Sequence, residues 1–235
     1  MADTFDSLVR QVRKRIELEQ QFGIEFEPGG VPAGQGRPGL PAHVGQPAPA
    51  ARAGQLAALE REMADCHVCP LAATRTNLVF GVGSAEAQLV FVGEAPGEDE
   101  DLQGEPFVGR AGQLLTKIIT SGMKMRREEV YICNVLKCRP PGNRNPAASE
   151  IFNCLPFLER QLTIIRPRVI CALGAIAAQA LLATDDPIGR LRGQWHSWRG
   201  IPLMVTYHPA YLLRTPSGKP KVWSDIKQVL AKLAE

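Results

Sequence analysis

Apolar residues at Phe5, Leu8, Val9, Val12 and Ile16 recur at helical spacing, with Arg10, Arg13, Lys14 and Arg15 on the other faces. This predicts an amphipathic helix within residues 1–27. From Pro28 to Ala50 the periodicity stops, and six prolines and six glycines stand among almost no bulky apolar residues. Such a stretch buries too little surface to offset its ordering entropy, so residues 28–54 read as a flexible linker. Beyond it, Gln55–Asp65 is helix-like, and short β-rich runs then alternate with longer helical patterns. Strands are expected at Leu78–Phe80, Leu89–Val92, Val130–Val135, Val169–Leu173 and Leu203–Tyr207. Helices are expected at Ala111–Ser121, Ala147–Ile165, Ala175–Leu182 and Val222–Ala234. A helix between most successive strands implies right-handed crossovers. Residues 55–235 therefore read as one three-layer α/β/α domain around a mainly parallel sheet of about four or five strands.

Composition narrows the setting. An apolar content of 45% in 235 residues is enough for a buried core. No run approaches the roughly 18 to 20 apolar residues of a membrane span, and the charged start lacks the apolar centre of a secretory signal. A cytoplasmic location is expected. Six cysteines then point to reduced thiols or metal ligands more than to a disulfide framework. The net charge of +3 is too small to identify a polyanion binder. Its distribution says more: 124–144 and 190–221 are basic, whereas Glu94 to Glu105 holds six carboxylates and no cation.

Two apolar runs, Leu89 to Val92 and Ile201 to Val205, end abruptly in Gly93-Glu94-Ala95-Pro96-Gly97 and Tyr207-His208-Pro209-Ala210. A buried strand followed by Gly and Pro reads as the carboxyl edge of a parallel sheet, where open α/β folds place their ligands. The two edges imply a shared cleft. Cys66-His67-Val68-Cys69 forms a CxxC pair, Cys138 follows the Val130–Val135 run, and Cys154 lies inside a predicted helix. Four thiolates from such segments satisfy either a [4Fe–4S] cluster or a tetrahedral zinc, and spacing does not choose between them. The three-cysteine run of radical chemistry on S-adenosylmethionine is absent. Cys133 and Cys171, within apolar strands, read as small buried thiols.

The Gly-Glu-Ala-Pro-Gly segment, the His-Pro pair, Lys137-Cys138-Arg139-Pro140-Pro141-Gly142-Asn143-Arg144 and Cys154-Leu155-Pro156-Phe157 together resemble the iron–sulfur uracil-DNA glycosylases of family 4. The resemblance runs from about Leu56 to Leu233. It implies a [4Fe–4S] cluster on Cys66, Cys69, Cys138 and Cys154, acting in folding because hydrolysis of a glycosidic bond needs no electron transfer. The implied substrate is uracil-containing DNA. Glu94 and His208 would be catalytic: the carboxylate activates water and steadies a cationic sugar, while the imidazole donates to uracil O2 as negative charge builds there. Asn134 would accept from uracil N3–H and donate to O4, a pattern cytosine reverses. Phe107 would stack on the extruded base, and Gly93 and Ala95 would line its pocket. The resemblance also implies that Glu100 excludes the thymine methyl group, although Glu98, Asp99 and Asp101 crowd the same loop.

Arg139, Arg144 and Arg214 would meet phosphates, with Leu213 filling the vacated stack. Without the flanking motifs, a strand-end glutamate, a turn-capping histidine, a core phenylalanine and a helix start with two core leucines would read alike. Arg190, Arg192, Trp195, His196, Trp198 and Arg199 form a second basic-aromatic segment suited to DNA phosphates, in which the Trp residues read equally as packing a hairpin. The broader-specificity sister group carries an apolar residue where Glu94 stands. A branch that traps uracil DNA carries an inserted basic loop that Pro106 to Arg110 lacks. A zinc-stapled nucleic-acid-binding module is the remaining alternative. The chain is read as a monomer, with residues 1–54 open to a protein partner.

Overall fold

The computed structural model of the protein describes residues 49–235. The helix expected within residues 1–27 and the linker up to residue 48 lie outside the described residues. Helix α1 spans Pro49–Ala64, so the end of the stretch read as linker is helical. The sheet has six strands: β1 (Val82–Gly83), β2 (Leu89–Gly93), β3 (Tyr131–Asn134), β4 (Val169–Leu173), β5 (Trp195–Trp198) and β6 (Ile201–Thr206). Their spatial order is β1-β3-β2-β4-β6-β5. The four inner strands run parallel, and β1 and β5 close the edges antiparallel.

Two expectations need correction here. Leu78–Phe80 is not a strand, because opposite it the chain has left β3 for the turn toward Cys138, and Val79 N–H donates to the Lys137 carbonyl at 2.9 Å. The edge pairing falls instead on β1, Val82 opposite Ile132. The sheet also gains β5, the outer arm of the tryptophan hairpin, whose polar and aromatic residues lack the apolar run of the inner strands. The acidic loop after Gly97 is a short helix, α2 (Glu98–Gln103). Its first turn is acidic throughout, which suits the positive end of the helix dipole.

Helices cover both faces: α3 (Arg110–Lys117), which widens into a π turn over Ile118–Gly122, α4 (Ala148–Ile165), α5 (Ala175–Leu182), α6 (Ile188–Leu191), α7 (Pro209–Arg214) and α8 (Lys219–Ala234). Strand residues alternate between two cores. Val90, Val92, Ile170, Ala172, Leu203 and Val205 pack against α1, α4 and α5 through Leu59, Leu162 and Ala178. Leu89, Phe91, Ile132, Cys171 and Met204 pack against α3 and α8 through Leu115, Ile226 and Val229. Both faces of the inner strands are dry, which explains their nearly unbroken apolar sequences. Cys133 and Cys171 are fully buried, as their strand context predicts.

The parallel strands place Gly93, Asn134 and Thr206 at one end of the sheet, so the turns after β2, β3 and β6 emerge together. Phe91, wholly buried in the middle of β2, anchors that arrangement. Phe91→Ala is expected to lower stability by about 3–5 kcal/mol, measured by urea unfolding, because the cavity left behind adds to the lost burial.

Candidate active site

At the carboxyl end of the sheet a cleft of about 430 Å³ is lined by Glu94, Ala95, Glu100, Phe107, Asn134, His208 and Arg214, among others. That size suits a single base with its sugar. Gly93 lies beneath the lining. It pairs in register with Asn134, and a β-carbon on Gly93 would collide with both Asn134 Oδ1 and the Phe107 ring. Glycine is thus what lets the amide and the aromatic ring share one slot. Asn134 is 1% exposed, and its Oδ1 is buried without a hydrogen-bond partner among the described residues. An orphaned acceptor in a cleft is destabilising unless a ligand completes it.

The Phe107 ring sits 5.5 Å from the His208 ring at a 34° tilt. Its backbone has φ 57°, a left-handed conformation that in a bulky residue is disfavoured by on the order of 1–3 kcal/mol. His208 caps α7: its Nδ1 accepts from Ala210 N–H at 3.1 Å, which leaves the proton on Nε2. Burial of the ring, with the nearby Arg214 charge, lowers its pKa to about 4. The neutral imidazole therefore offers an N–H at ordinary pH. Burial alone raises the pKa of Glu94 from the ordinary carboxylate range, with no hydrogen bond or charge of the described residues offsetting it. A strengthened base and a neutral donor consequently face one cleft.

Glu100 also lines the cleft, but its carboxylate is occupied. Oε2 accepts from Gly97 N–H at 3.1 Å, and Oε1 accepts from Val108 and Gly109 N–H at 3.0 and 2.9 Å. It laces the Glu94 turn to the Phe107 turn. Arg139 donates to Asn143 Oδ1 at 2.8 Å and lies 3.6 Å from Glu98. Arg144 forms a bidentate pair with Glu150, at 2.9 and 2.6 Å. Arg214 is exposed at the cleft mouth. The segment resembling a groove-probing loop is helix α7, in which Leu212 is core at 2% exposure and Leu213 stands outward at 40%.

Cys66, Cys69, Cys138 and Cys154 all line one cavity, walled by Met63, Leu78 and Phe157. No three Cys, His, Asp or Glu side chains among the described residues converge on a single-ion site. The four cysteines instead border one small cavity. Burial raises the Cys154 thiol to about 12 and pushes Cys138 up as well. A bound cation would reverse that preference and stabilise thiolates. The donor set and its apolar walls fit a multi-metal cluster held by cysteine.

A family model described as the uracil DNA glycosylase superfamily matches residues 80–227. A type-4 uracil-DNA glycosylase of Archaeoglobus fulgidus is 48% identical over 177 residues, covering 72% of this chain and 88% of that protein. The Thermotoga maritima type-4 protein is 49% identical over 167 residues, 69% of this chain and 86% of its own length. A type-5 protein of Pyrobaculum aerophilum is 31% identical over 148 residues, 55% of this chain and 64% of its own. The chain belongs to the type-4 uracil-DNA glycosylases.

In this type-4 chain, several residues that sequence motifs did not single out organise the two sites. Arg75 donates to the Cys66 and Ala64 carbonyls at 3.0 and 2.9 Å and to Cys138 Sγ at 3.4 Å, strapping the CxxC turn to the third cysteine. Lys137 is fully buried and donates to the Asn134 carbonyl at 2.8 Å and to Gln161 Oε1 at 2.6 Å. A lysine closing an apolar strand beside a cysteine was the available signal. Behind His208, Thr206 donates to buried Asp225 at 2.6 Å, and Asp225 pairs with Arg192, which lies over the Tyr207 ring. Nothing in local sequence links those three.

The His208 ring is expected to stay neutral and Nε2-protonated from neutral pH down to about 4, as read by its ring nitrogens in two-dimensional ¹H–¹⁵N spectra. Because its folded pKa lies below the ordinary histidine value, its contribution favours the folded state above that value and is lost as pH falls through about 4.

Proposed function

We propose that the protein hydrolyses the N-glycosidic bond of deoxyuridine in DNA, releasing uracil and leaving an abasic site. The observation that carries this reading is the orphaned Asn134 Oδ1, fixed beside Phe107 at the end of β3. Uracil N3–H would complete that acceptor while O4 takes the amide N–H. Cytosine, with an acceptor at N3 and a donor at N4, would leave the acceptor facing a lone pair. The extruded base stacks on Phe107, and Gly93 supplies the room. As the C1′–N1 bond breaks, its electron pair moves into the pyrimidine, and His208 Nε2–H donates to O2 where the charge collects. A water adds to C1′ and gives its proton to the Glu94 carboxylate, which also steadies the cationic sugar. The family relationship, with 48% identity to a type-4 uracil-DNA glycosylase, supports the same chemistry.

The cysteines would hold a [4Fe–4S] cluster. When bound, such a cluster supplies a covalent cross-link among the end of α1, the turn after β3, and α4, with no part in the hydrolysis itself. Arg75 and the main chain at Lys137 would orient its thiolate ligands. Protein purified anaerobically is expected to contain iron and sulfide, and Cys138→Ser to lose both and to fold poorly. Stoichiometric zinc without iron would overturn the cluster assignment.

Activity is tested on duplexes carrying U opposite G or A, compared with T, hypoxanthine and C. Glu94→Gln and His208→Ala should each slow single-turnover uracil release by roughly 10²–10⁴-fold with DNA affinity nearly unchanged. The rate should fall on acidification with a midpoint above the ordinary glutamate value, because burial raises the Glu94 pKa and only the ionised form accepts a proton. That limb should vanish in Glu94→Gln. Full uracil release by a folded Asn134→Asp variant would remove the base-reading role of Asn134.

A further inference from the structure

Phe107 is held in its left-handed conformation from two sides by ionised groups of opposite sign. On one side, Glu100 Oε1 accepts from the two N–H groups that follow it, those of Val108 and Gly109. On the other, Arg127 Nη2 donates to the Pro106 carbonyl at 2.7 Å and to the Phe107 carbonyl at 3.2 Å. The guanidinium is itself aimed by Thr116 on α3, whose Oγ1 accepts from Nη1 at 3.0 Å, and by Glu105 at 3.6 Å. Its side chain is 18% exposed, so these contacts are only weakly screened by solvent. Helix α3 presses on the same turn at Gly112, where a β-carbon would run into the Phe107 carbonyl.

Of these groups, Arg127, Thr116 and Glu105 are absent from the cleft lining and meet it only through Phe107. Arg127 lines the opposite side of the Phe107 turn from the cleft, with Glu105, Gln113, Thr116 and Lys117. It enters the chain just before β3, twenty residues after Phe107. Nη2 holds both carbonyls while Nη1 holds Thr116 Oγ1, a set of three acceptors spread along a planar guanidinium that an ammonium, whose three N–H bonds diverge from one nitrogen, does not match.

We propose that Arg127 is a positioning residue for base stacking: its guanidinium, opposed by the Glu100 carboxylate, holds the strained Phe107 turn so that the ring stands ready beside Asn134 and His208. The inference rests on the stacking role proposed for Phe107. It assigns the side of the turn away from the cleft a part in excision without contact to DNA or base. The energy of the strained turn is met in advance by these charge-assisted hydrogen bonds to its main chain, so the ring needs no reordering when the base enters.

The test is a double-variant cycle on the full-length, cluster-loaded protein, using Arg127→Gln, Phe107→Ala and their combination. Single-turnover uracil release is measured with affinity for a uracil-free duplex and for a duplex carrying non-cleavable 2′-fluoro-deoxyuridine. Arg127→Gln should slow release by on the order of 10–10²-fold and weaken binding of the fluorinated duplex, while leaving uracil-free binding unchanged. In the Phe107→Ala background, the same substitution should cost almost nothing further. Arg127→Lys should recover part of the loss. It also serves as the second probe if Arg127→Gln does not fold, and must then show the same dependence on Phe107. Multiplicative losses in the double variant, or full activity of folded Arg127→Gln, overturn the inference and leave the stacking role of Phe107 intact. An unchanged rate in Phe107→Ala overturns the stacking role and the inference together.

Discussion

The pairing of Gly93 with Asn134 is the contact on which the cleft depends. β2 and β3 run parallel and end in register, and the ladder continues past the strands, with Val135 N–H on the Gly93 carbonyl at 2.9 Å and Leu136 N–H on the Glu94 carbonyl at 3.0 Å. That extension fixes the Glu94 turn against the chain that has just delivered Asn134. One register therefore sets the separation between the Asn134 amide and the Glu94 carboxylate. Shifting it by one residue would turn every side chain to the opposite face of the sheet. The same chain continues through Lys137 to Cys138, and Lys137 reaches back to the Asn134 carbonyl, so the cysteine cavity and the cleft are built on one stretch of backbone.

Burial acts on Glu94 and His208 in opposite directions, and both outcomes favour the proposed chemistry. A carboxylate without a hydrogen-bond partner gains basicity as water is withdrawn, whereas an imidazole loses its proton and keeps one donor. Neither group needs the other's charge. In the proposed reaction Glu94 would be held ready for a positive sugar and His208 for a negative base, the developing ions of the transition state being what each environment lacks. The fixed tautomer matters as much as the lowered pKa, because a proton on Nδ1 would point at the Ala210 N–H and not into the cleft.

Glu94 and His208 were legible as candidates because each follows an apolar run and is flanked by Gly or Pro, Gly93 before Glu94 and Pro209 after His208, whereas Asn134 lies inside the run Val130–Leu136 and was read from the family resemblance. Period and punctuation are local properties, and the parallel sheet converts them directly into one edge. The Leu78–Phe80 run carried the same apolar signal without becoming a strand, because pairing requires a neighbour that is still extended. β5 was legible only as a hairpin, since Trp195 and Ser197 on an edge face solvent and break the apolar pattern. Arg75 and Arg127 were illegible for a different reason, and Lys137 showed only as a lysine beside a cysteine. Their partners are carbonyl oxygens and sulfur brought near by tertiary folding, and a carbonyl leaves no mark in sequence. Glu100 lay between the two cases, visible as an acid in the right loop while its actual partners, three main-chain N–H groups, were not.

The charge pattern illustrates how far counting side chains departs from what a surface offers. The sequence between 124 and 144 is basic, yet Arg126 and Arg127 face Glu129 and Glu105, Arg139 faces Glu98, and Arg144 is engaged by the buried Glu150. The Arg139 pair, 3.6 Å apart with Glu98 exposed, is of the kind that contributes little to stability and exchanges readily for a phosphate. The Arg144 pair is different in kind: releasing that guanidinium would strand a carboxylate that is 5% exposed, which also accepts from the Ala147 N–H at 2.7 Å where α4 begins. Arg144 thus belongs first to the fold that carries Cys154, which leaves Arg139 and Arg214, whose exposed side chain stands at the mouth of the cleft, as the candidates for phosphate.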